Sequence, residues 1–196
     1  LTLDDLDAAG RHVPVIANIR PSGNTYLMED FYYSGGLRGM MSRLKDKLNL
    51  HALTVSGKTL GETLVGASVH HDDVIRTMED PIYPEGSLAV LRGNLAPDGA
   101  VIKPAACDRR FLNHEGPALV FDNYPDLKSR IDDDDLDVTA DTILILRNAG
   151  PQGGPGMPEW GMLPVPTKLV KQGVRDMMRI SDARMSGTSY GACVLH

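Results

Sequence analysis

The strongest constraint on what this chain can fold into is the passage from Thr142 to Trp160. Thr142-Ile143-Leu144-Ile145-Leu146 is a short apolar run bounded by turn residues, the signature of a buried strand. Directly behind it, Gly150 to Pro158 packs four glycines and three prolines into nine positions, and a helix is predicted over Thr167 to Met178. Strand–loop–helix junctions are where α/β folds place ligands, and a stiff glycine-rich loop can present backbone N–H groups to an anion. No Gly-Lys-Ser/Thr follows, so the loop is not a phosphate loop of the Walker type. Glu159, at its end, is the only carboxylate between Asp141 and Asp176. The ordinary role of such a residue is to start a helix, where the dipole favours an acid. The functional alternative is a ligand for a hard cation such as Mg²⁺. Taken by itself, Glu159 is better explained by the first role.

A second informative stretch is Ser181 to Gly191, which holds Ser181, Ser186, Thr188 and Ser189 with two glycines, Asp182 and Arg184. Glycines permit tight turns and close backbone approach to a ligand. Hydroxyls beside them can bond an anionic substrate or, if activated, move a proton. A polar surface turn is the plain alternative. The segment runs straight into another apolar stretch rather than trailing off, and the sequence reads as a piece of a longer polypeptide.

The 196 residues allow one large domain or one domain and part of another. Hydrophobic content of 42% and charged content of 23% suit a globular protein. The net charge of −6 argues against a nucleic-acid surface, which would show a basic stripe. No run reaches the ~18 apolar residues of a membrane span, and no signal-peptide pattern opens the sequence. Cys107 and Cys193 lack metal-site spacing and read as small buried hydrophobes, with a reducing cytoplasm as the default setting.

Along the chain, Thr2 is a plausible cap for a short helix ending at Gly10, and Val13 to Ile19 reads as a buried strand. A turn at 20–24 leads to a helix over Tyr26 to Tyr33. Leu37, Met40, Met41, Leu44 and Leu48 then mark one face of an amphipathic helix. Ala52 to Val55 reads as a strand, and a helix follows from Lys58 or Thr59 to Leu64. This alternation predicts an α/β domain. The texture changes at a proline-bracketed linker over 79–86. Short strands at Leu88–Leu91, Ala100–Ile102, Ala118–Phe121 and Thr142–Leu146, with a helix over Pro125 to Ile131, predict a second, β-rich α/β domain. The boundary falls between 86 and 87, and closure of the second sheet into a barrel is one arrangement its strands allow.

Weaker candidates have ordinary explanations. His70-His71-Asp72-Asp73 reads as a helix start with an Asp cap rather than a metal site. Asp132 to Asp135 reads as a solvated loop, since the glycine of an EF-hand loop is missing. Ser22-Gly23-Asn24 reads as a turn. Ser186 is not in a Gly-x-Ser-x-Gly elbow, so no hydrolase argument applies.

Several motifs together carry a resemblance. Pro21-Ser22-Gly23 with Tyr26-Leu27-Met28-Glu29-Asp30-Phe31, Gly153-Gly154-Pro155-Gly156-Met157-Pro158-Glu159, and Asp182-Ala183-Arg184-Met185-Ser186-Gly187-Thr188 resemble the dihydroxy-acid and 6-phosphogluconate dehydratase family. Phe31 to Gly36 and the Ser-Gly-Thr at 186–188 resemble its sugar-acid branch, the aldonate dehydratases acting on acids such as L-arabinonate. The likeness covers essentially the whole chain. Family members are about three times longer, so it corresponds to the C-terminal third before the last segment.

The resemblance implies a hydro-lyase that removes the C2 proton and C3 hydroxyl of a 2,3-dihydroxy acid to give a 2-keto-3-deoxy acid. It implies Mg²⁺ with Glu159 as a ligand, Ser186 as the base at C2, and Thr188 bonding to the base or the substrate. It also implies an iron–sulfur cluster, [2Fe–2S] or [4Fe–4S], whose cysteines lie outside this sequence. Cys107 and Cys193 do not match ligand positions, so this chain alone is expected to be inactive. Residues 1–86 would end an N-terminal α/β parallel-sheet domain. Residues 87–196 would form most of a β-barrel-like domain with flanking helices, similar to the swivelling domain of aconitase. A cytoplasmic homo-oligomer binding a small sugar acid, with neither nucleic acid nor membrane as partner, is expected. The competing reading is a non-catalytic module whose glycine-rich loops hold a carboxylate or phosphate. A binding module would need neither an acidic metal ligand at 159 nor a lone hydroxyl at 186.

Overall fold

The computed structural model describes residues 1–187 and 189–195. They gather into two compact units, Leu1–Ser87 and Leu88–His196.

In the first unit, helix α1 (Leu3–Gly10) begins with a reciprocal cap. Thr2 Oγ1 accepts the Asp5 N–H at 3.2 Å, and the Asp5 carboxylate accepts the Thr2 N–H at 2.8 Å, satisfying two donors the helix itself cannot. Helices α2 (Met28–Tyr33) and α3 (Gly36–Arg43) follow, then a 3₁₀ turn over Lys45–Lys47 and helix α4 (Leu60–Leu64). Thr59 and Glu62 repeat the reciprocal cap on α4. The expected long helix through Leu48 breaks at Arg43, yet Met40, Leu44 and Leu48 still reach the core around Ile16, Val74 and Ile75. Leu37, on the same predicted stripe, stays exposed.

The parallel sheet expected in this unit is not formed among its described residues. Ile16 and Asn18 alternate inward as in a strand, but the residues between and beside them, Val15, Ala17 and Ile19, each bridge a different segment, at Tyr83, Ile75 and Tyr26. Single long-range bonds such as Arg76 N–H to Ile16 O (2.8 Å) satisfy the backbone without a neighbouring strand. Ala52 to Val55 is a tight turn rather than a buried strand. Thr54 N–H donates to Lys58 O at 2.9 Å, and Leu53 and Val55 point to solvent.

The second unit is a six-stranded mixed sheet built from β1 (Ala89–Leu91), β2 (Ala100–Ile102), β3 (Ala118–Phe121), β4 (Ile143–Leu146), β5 (Arg179–Ser181) and β6 (Cys193–Leu195), with helices α5 (Tyr124–Arg130) and α6 (Thr167–Lys171). The strand order is β1-β2-β6-β5-β4-β3. Strands β3, β4, β5 and β6 run parallel, while β2 and β1 are antiparallel additions at one side. The sheet is open, with β1 and β3 as its edges. A closed barrel is therefore not what these residues build, although the mixed α/β character is as predicted.

Register sorts the side chains onto two faces. Phe121 and Leu146 pair across β3 and β4 and, with Leu144, pack against Leu127 and Ile131 of the α5 region, Leu169 of α6, and Leu163, Met177 and Ala183. The other face, through Ala100, Ile102 and Val194, forms a smaller cluster with Cys107, Met178 and Ile180. Helix α6 is shorter than predicted. It stops at Lys171, just before Gly173 at φ +92°, and residues 176–181 serve the sheet instead.

Candidate active site at the carboxyl ends of the parallel strands

Strands β4 and β5 lie side by side and parallel, with Leu146 in register with Ser181. The glycine- and proline-rich loop leaves the end of β4, and the segment 182–192 leaves the end of β5. Chain geometry alone therefore starts the two informative stretches from one edge of the sheet, the edge where open α/β sheets bind ligands; the second stretch then crosses to the opposite end, where β6 begins parallel to β5.

Specific bonds then join them. Asp182 Oδ1 accepts the Ala149 N–H at 2.8 Å, and Ala149 is fully buried, so this donor has no water to fall back on. Gly150 packs so closely that a Cβ there would lie 2.8 Å from Asp182 O. Arg184 makes the longest reach: Nε donates to Met157 O at 2.6 Å, Nη1 to Glu159 Oε1 at 2.6 Å, and its own carbonyl accepts the Gly161 N–H at 3.0 Å. Arg184 and Glu159 are each about half exposed, at 50% and 47% of their side chains. An exposed pair of this kind contributes roughly 0.2–1 kcal/mol, so other positive charges can compete for the carboxylate.

Glu159 thus stands at the end of the glycine-rich loop, its carboxylate facing the segment that carries Ser186. It starts no helix; Trp160 to Pro166 precede α6. Ser186 lies two residues beyond Arg184, and its carbonyl accepts the Ser189 N–H at 3.1 Å. Lys103, at the end of β2, reaches across from the opposite end of the sheet, its Nζ donating to Gly187 O. Its partial burial lowers its pKa. Thr188 lies outside the described residues. The expected anion cradle in the loop is partly spent on the loop itself, since Gly154 N–H bonds Gly150 O and Met157 N–H bonds Gly154 O.

Sequence reasoning about Glu159 and Ser186 missed the residues that hold their segments together, Asp182, Arg184 and Lys103. The first two lay within a quoted motif, but spacing gives no sign of partners some 25 to 33 positions away. A cavity of about 240 Å³ opens beside this edge, lined by Leu95, Ile145, Leu146, Arg147, Asn148, Ser181 and Asp182 among others, though not by Glu159 or Ser186.

Other candidates resolve simply. His71 and Asp73 line a cavity of about 260 Å³ in the first unit with Tyr26, Asp30, Tyr33 and Ser34, while Asp72 turns away to pair with Arg43. No helix starts there, contrary to expectation; residues 71–75 form a turn in which Val74 and Ile75 N–H groups bond His71 O. Asp132 accepts the Thr167 N–H at 3.0 Å, and bonds from the Thr167 hydroxyl and N–H hold its carboxyl below the usual range. Residues 22–24 form a turn, with the Gly23 N–H bonding Ile19 O at 2.8 Å.

Among the described residues, no group of three His, Cys, Asp or Glu could hold a metal ion. A single carboxylate does suit Mg²⁺, which keeps several waters and takes only one or two protein carboxylates. An iron–sulfur cluster needs cysteine thiolates. Cys107 and Cys193 belong to no group of three possible ligands among the described residues, and burial pushes both thiols up, Cys193 to about 11.

No helix among the described residues is long and apolar enough to cross a membrane. Comparison with known proteins is consistent along the chain. Residues 1–63 match the dihydroxy-acid/6-phosphogluconate dehydratase N-terminal model, and residues 73–196 match the C-terminal model. The second match starts inside the first compact unit. The chain is 53% identical to 6-deoxy-6-sulfo-D-gluconate dehydratase of Pseudomonas putida and 49% identical to L-arabinonate dehydratase of Rhizobium leguminosarum bv. trifolii, each over the whole of this chain and 34% of the relative. It is 38% identical to dihydroxy-acid dehydratase of Caldicellulosiruptor bescii, over the whole chain and 35% of that protein. The chain thus spans about a third of the length of the curated relatives it matches. With its sequence matched from end to end and its two informative loops stitched together on one sheet edge, this chain belongs to the dihydroxy-acid/6-phosphogluconate dehydratase family.

Proposed function

We propose that this chain serves the dehydration of a sugar acid, an aldonate such as L-arabinonate, to its 2-keto-3-deoxy acid, as part of an enzyme about three times its length. The observation that carries the reading is Arg184, which ties the carboxylate of Glu159 and the loop at Met157 to the segment bearing Ser186. The sugar-acid class is supported by identity, since relatives named for sugar acids match at 47 to 53% and a dihydroxy-acid dehydratase at 38%. Arabinonate and a sulfonated gluconate are both within that class.

In this reading Ser186 Oγ, as the alkoxide, takes the proton from C2. The electron pair left on C2 passes into an enolate and then forms the C2–C3 double bond, expelling the C3 hydroxyl, which leaves as water with the proton that Ser186 took; the resulting enol tautomerises to the ketone. Serine is a poor base until its pKa is lowered. Glu159 would hold Mg²⁺, which when bound supplies positive charge to stabilise the developing enolate. Thr188 would bond to Ser186 or to the substrate. This chain offers no ligands for an iron–sulfur cluster, so the cluster's thiolates would have to come from elsewhere in the enzyme, and no step here is derived through it. Residues 1–86 as the end of one domain and 87–196 as part of a second belong to the same proposal, as do a cytoplasmic setting and a homo-oligomer. An anion-binding module without turnover is the weaker reading, because loop N–H groups at Gly154 and Met157 are already bonded.

The decisive experiment replaces Ser186 with Ala in the full-length enzyme. Turnover should fall by about 10³-fold or more, with Mg²⁺ binding and the cluster's absorption spectrum unchanged. Near-normal turnover would remove Ser186 as the base.

A further inference from the structure

The one buried ion pair among the described residues has no place in the chemistry above. Arg179 is 2% exposed and Asp176 9%, and they meet at 2.6 Å between Nη2 and Oδ1. Arg179 also donates to Met177 O (3.1 Å), Leu163 O (3.0 Å) and Tyr190 O (3.3 Å). Asp176 accepts the N–H groups of Met177 (2.9 Å), Asp108 (3.2 Å) and Ala192 (3.0 Å to each oxygen). Removing two charges from water is costly, and an apolar pair of similar volume often stabilises a fold as well or better. What an apolar pair cannot supply is direction, and here bonds from the pair reach both Tyr190 and Ala192.

Those residues close the connection between β5 and β6. Parallel strands are usually joined by a dozen or more residues, commonly through a helix; the segment 182–192 is shorter and has no helix, so it must be held from outside. Its front is tied by Asp182 and Arg184. Its end is tied by the buried pair and by Gly191 N–H bonding Ala106 O at 2.7 Å. Gly191 sits at φ +90°, and a Cβ there would lie 2.0 Å from Arg179 Nη2 and 2.3 Å from Asp176 Oδ1. Ser186 lies between the two ties.

We propose that Asp176 and Arg179 are positioning residues for Ser186: the buried pair clamps the C-terminal end of the connection so that the serine is presented to substrate at one fixed place. This rests on the reading of Ser186 as the base. Displacement of a reacting group by about 1 Å can cost about 100-fold in rate.

The test uses the full-length, cofactor-loaded enzyme. Arg179→Lys retains the charge but loses the planar fork that spans Asp176, Leu163 and Tyr190. Gly191→Ala leaves the pair chemically intact and pushes the connection off it. Both should lower kcat about 100-fold with KM within about twofold, the pattern of an interaction felt in the transition state. Backbone amides in 182–192 should exchange faster with deuterium while those in β4 keep their protection. Two soluble variants with reduced melting temperature but unchanged kcat would overturn the proposal, as would a loss confined to KM. Should Arg179→Lys fail to fold, the Gly191→Ala result decides alone. An active Ser186→Ala enzyme would instead sink the assignment of the base, so the two failures are distinguishable.

Discussion

At the scale of single residues, environment decides role. The Glu159 carboxylate is half exposed and faces one partially solvated guanidinium, so a divalent cation can compete for it. Replacing Glu159 with Gln in the full-length enzyme removes that charge at nearly constant shape. Mg²⁺ affinity measured by calorimetry should fall about tenfold or more, by analogy with losses seen even when only a ligand's supporting partner is removed; an unchanged titration would dismiss the ligand role. Cys193 is the opposite case. Buried on the sheet, its thiol is pushed up to about 11 by desolvation, so little thiolate is present at neutral pH to act as a nucleophile. A pKa raised in the folded state means the native protein holds its proton longer than the unfolded chain. Its stabilisation is therefore complete below about 9 and is lost as pH rises toward 11, amounting to about 2–3 kcal/mol. Urea midpoints between pH 8.5 and 11 should show this decline, and Cys193→Ala should flatten it. An identical slope in the variant would assign the decline to other groups.

At the scale of elements, the active edge depends on side chains that stand in for regular structure. Neither loop is a helix or a strand, so its backbone groups find partners through Asp182, Arg184 and the buried Asp176–Arg179 pair. Replacing Asp182 with Ala would strand the buried Ala149 N–H, at a cost of about 1–3 kcal/mol. The full-length protein should show that loss as a lower urea midpoint with an unchanged m-value; a midpoint equal to wild type would mean water or another acceptor takes the bond. By contrast, α1 and α4 are specified locally. Thr2 with Asp5 and Thr59 with Glu62 satisfy their own helix starts within one turn, which is why both starts were visible in the sequence.

At the scale of the whole molecule, the sequence alone determined what depends on neighbours along the chain. It marked the cap residues, the apolar runs that became β2, β3 and β4, and a serine-bearing and a carboxylate-bearing segment whose motifs belong to one dehydratase family. It misjudged Val13 to Ile19 and Ala52 to Val55, whose strand-like patterns found no strand alongside. Strand β5 escaped notice because Arg-Ile-Ser does not look like sheet interior; a buried Arg is tolerated only when paired, and its partners Asp176, Leu163 and Tyr190 are evident only after folding. The openness of the sheet was likewise invisible, since which edges pair depends on contacts far apart in sequence. Only the tertiary structure decided that the Glu159 loop meets the start of the Ser186 segment, because parallel register between β4 and β5 aligns the exits of two loops that are dozens of residues apart and Arg184 bonds Glu159. Local chemistry writes itself into adjacent residues, whereas the juxtaposition of loops is set by strand pairing and by long-range bonds that no short stretch of sequence contains.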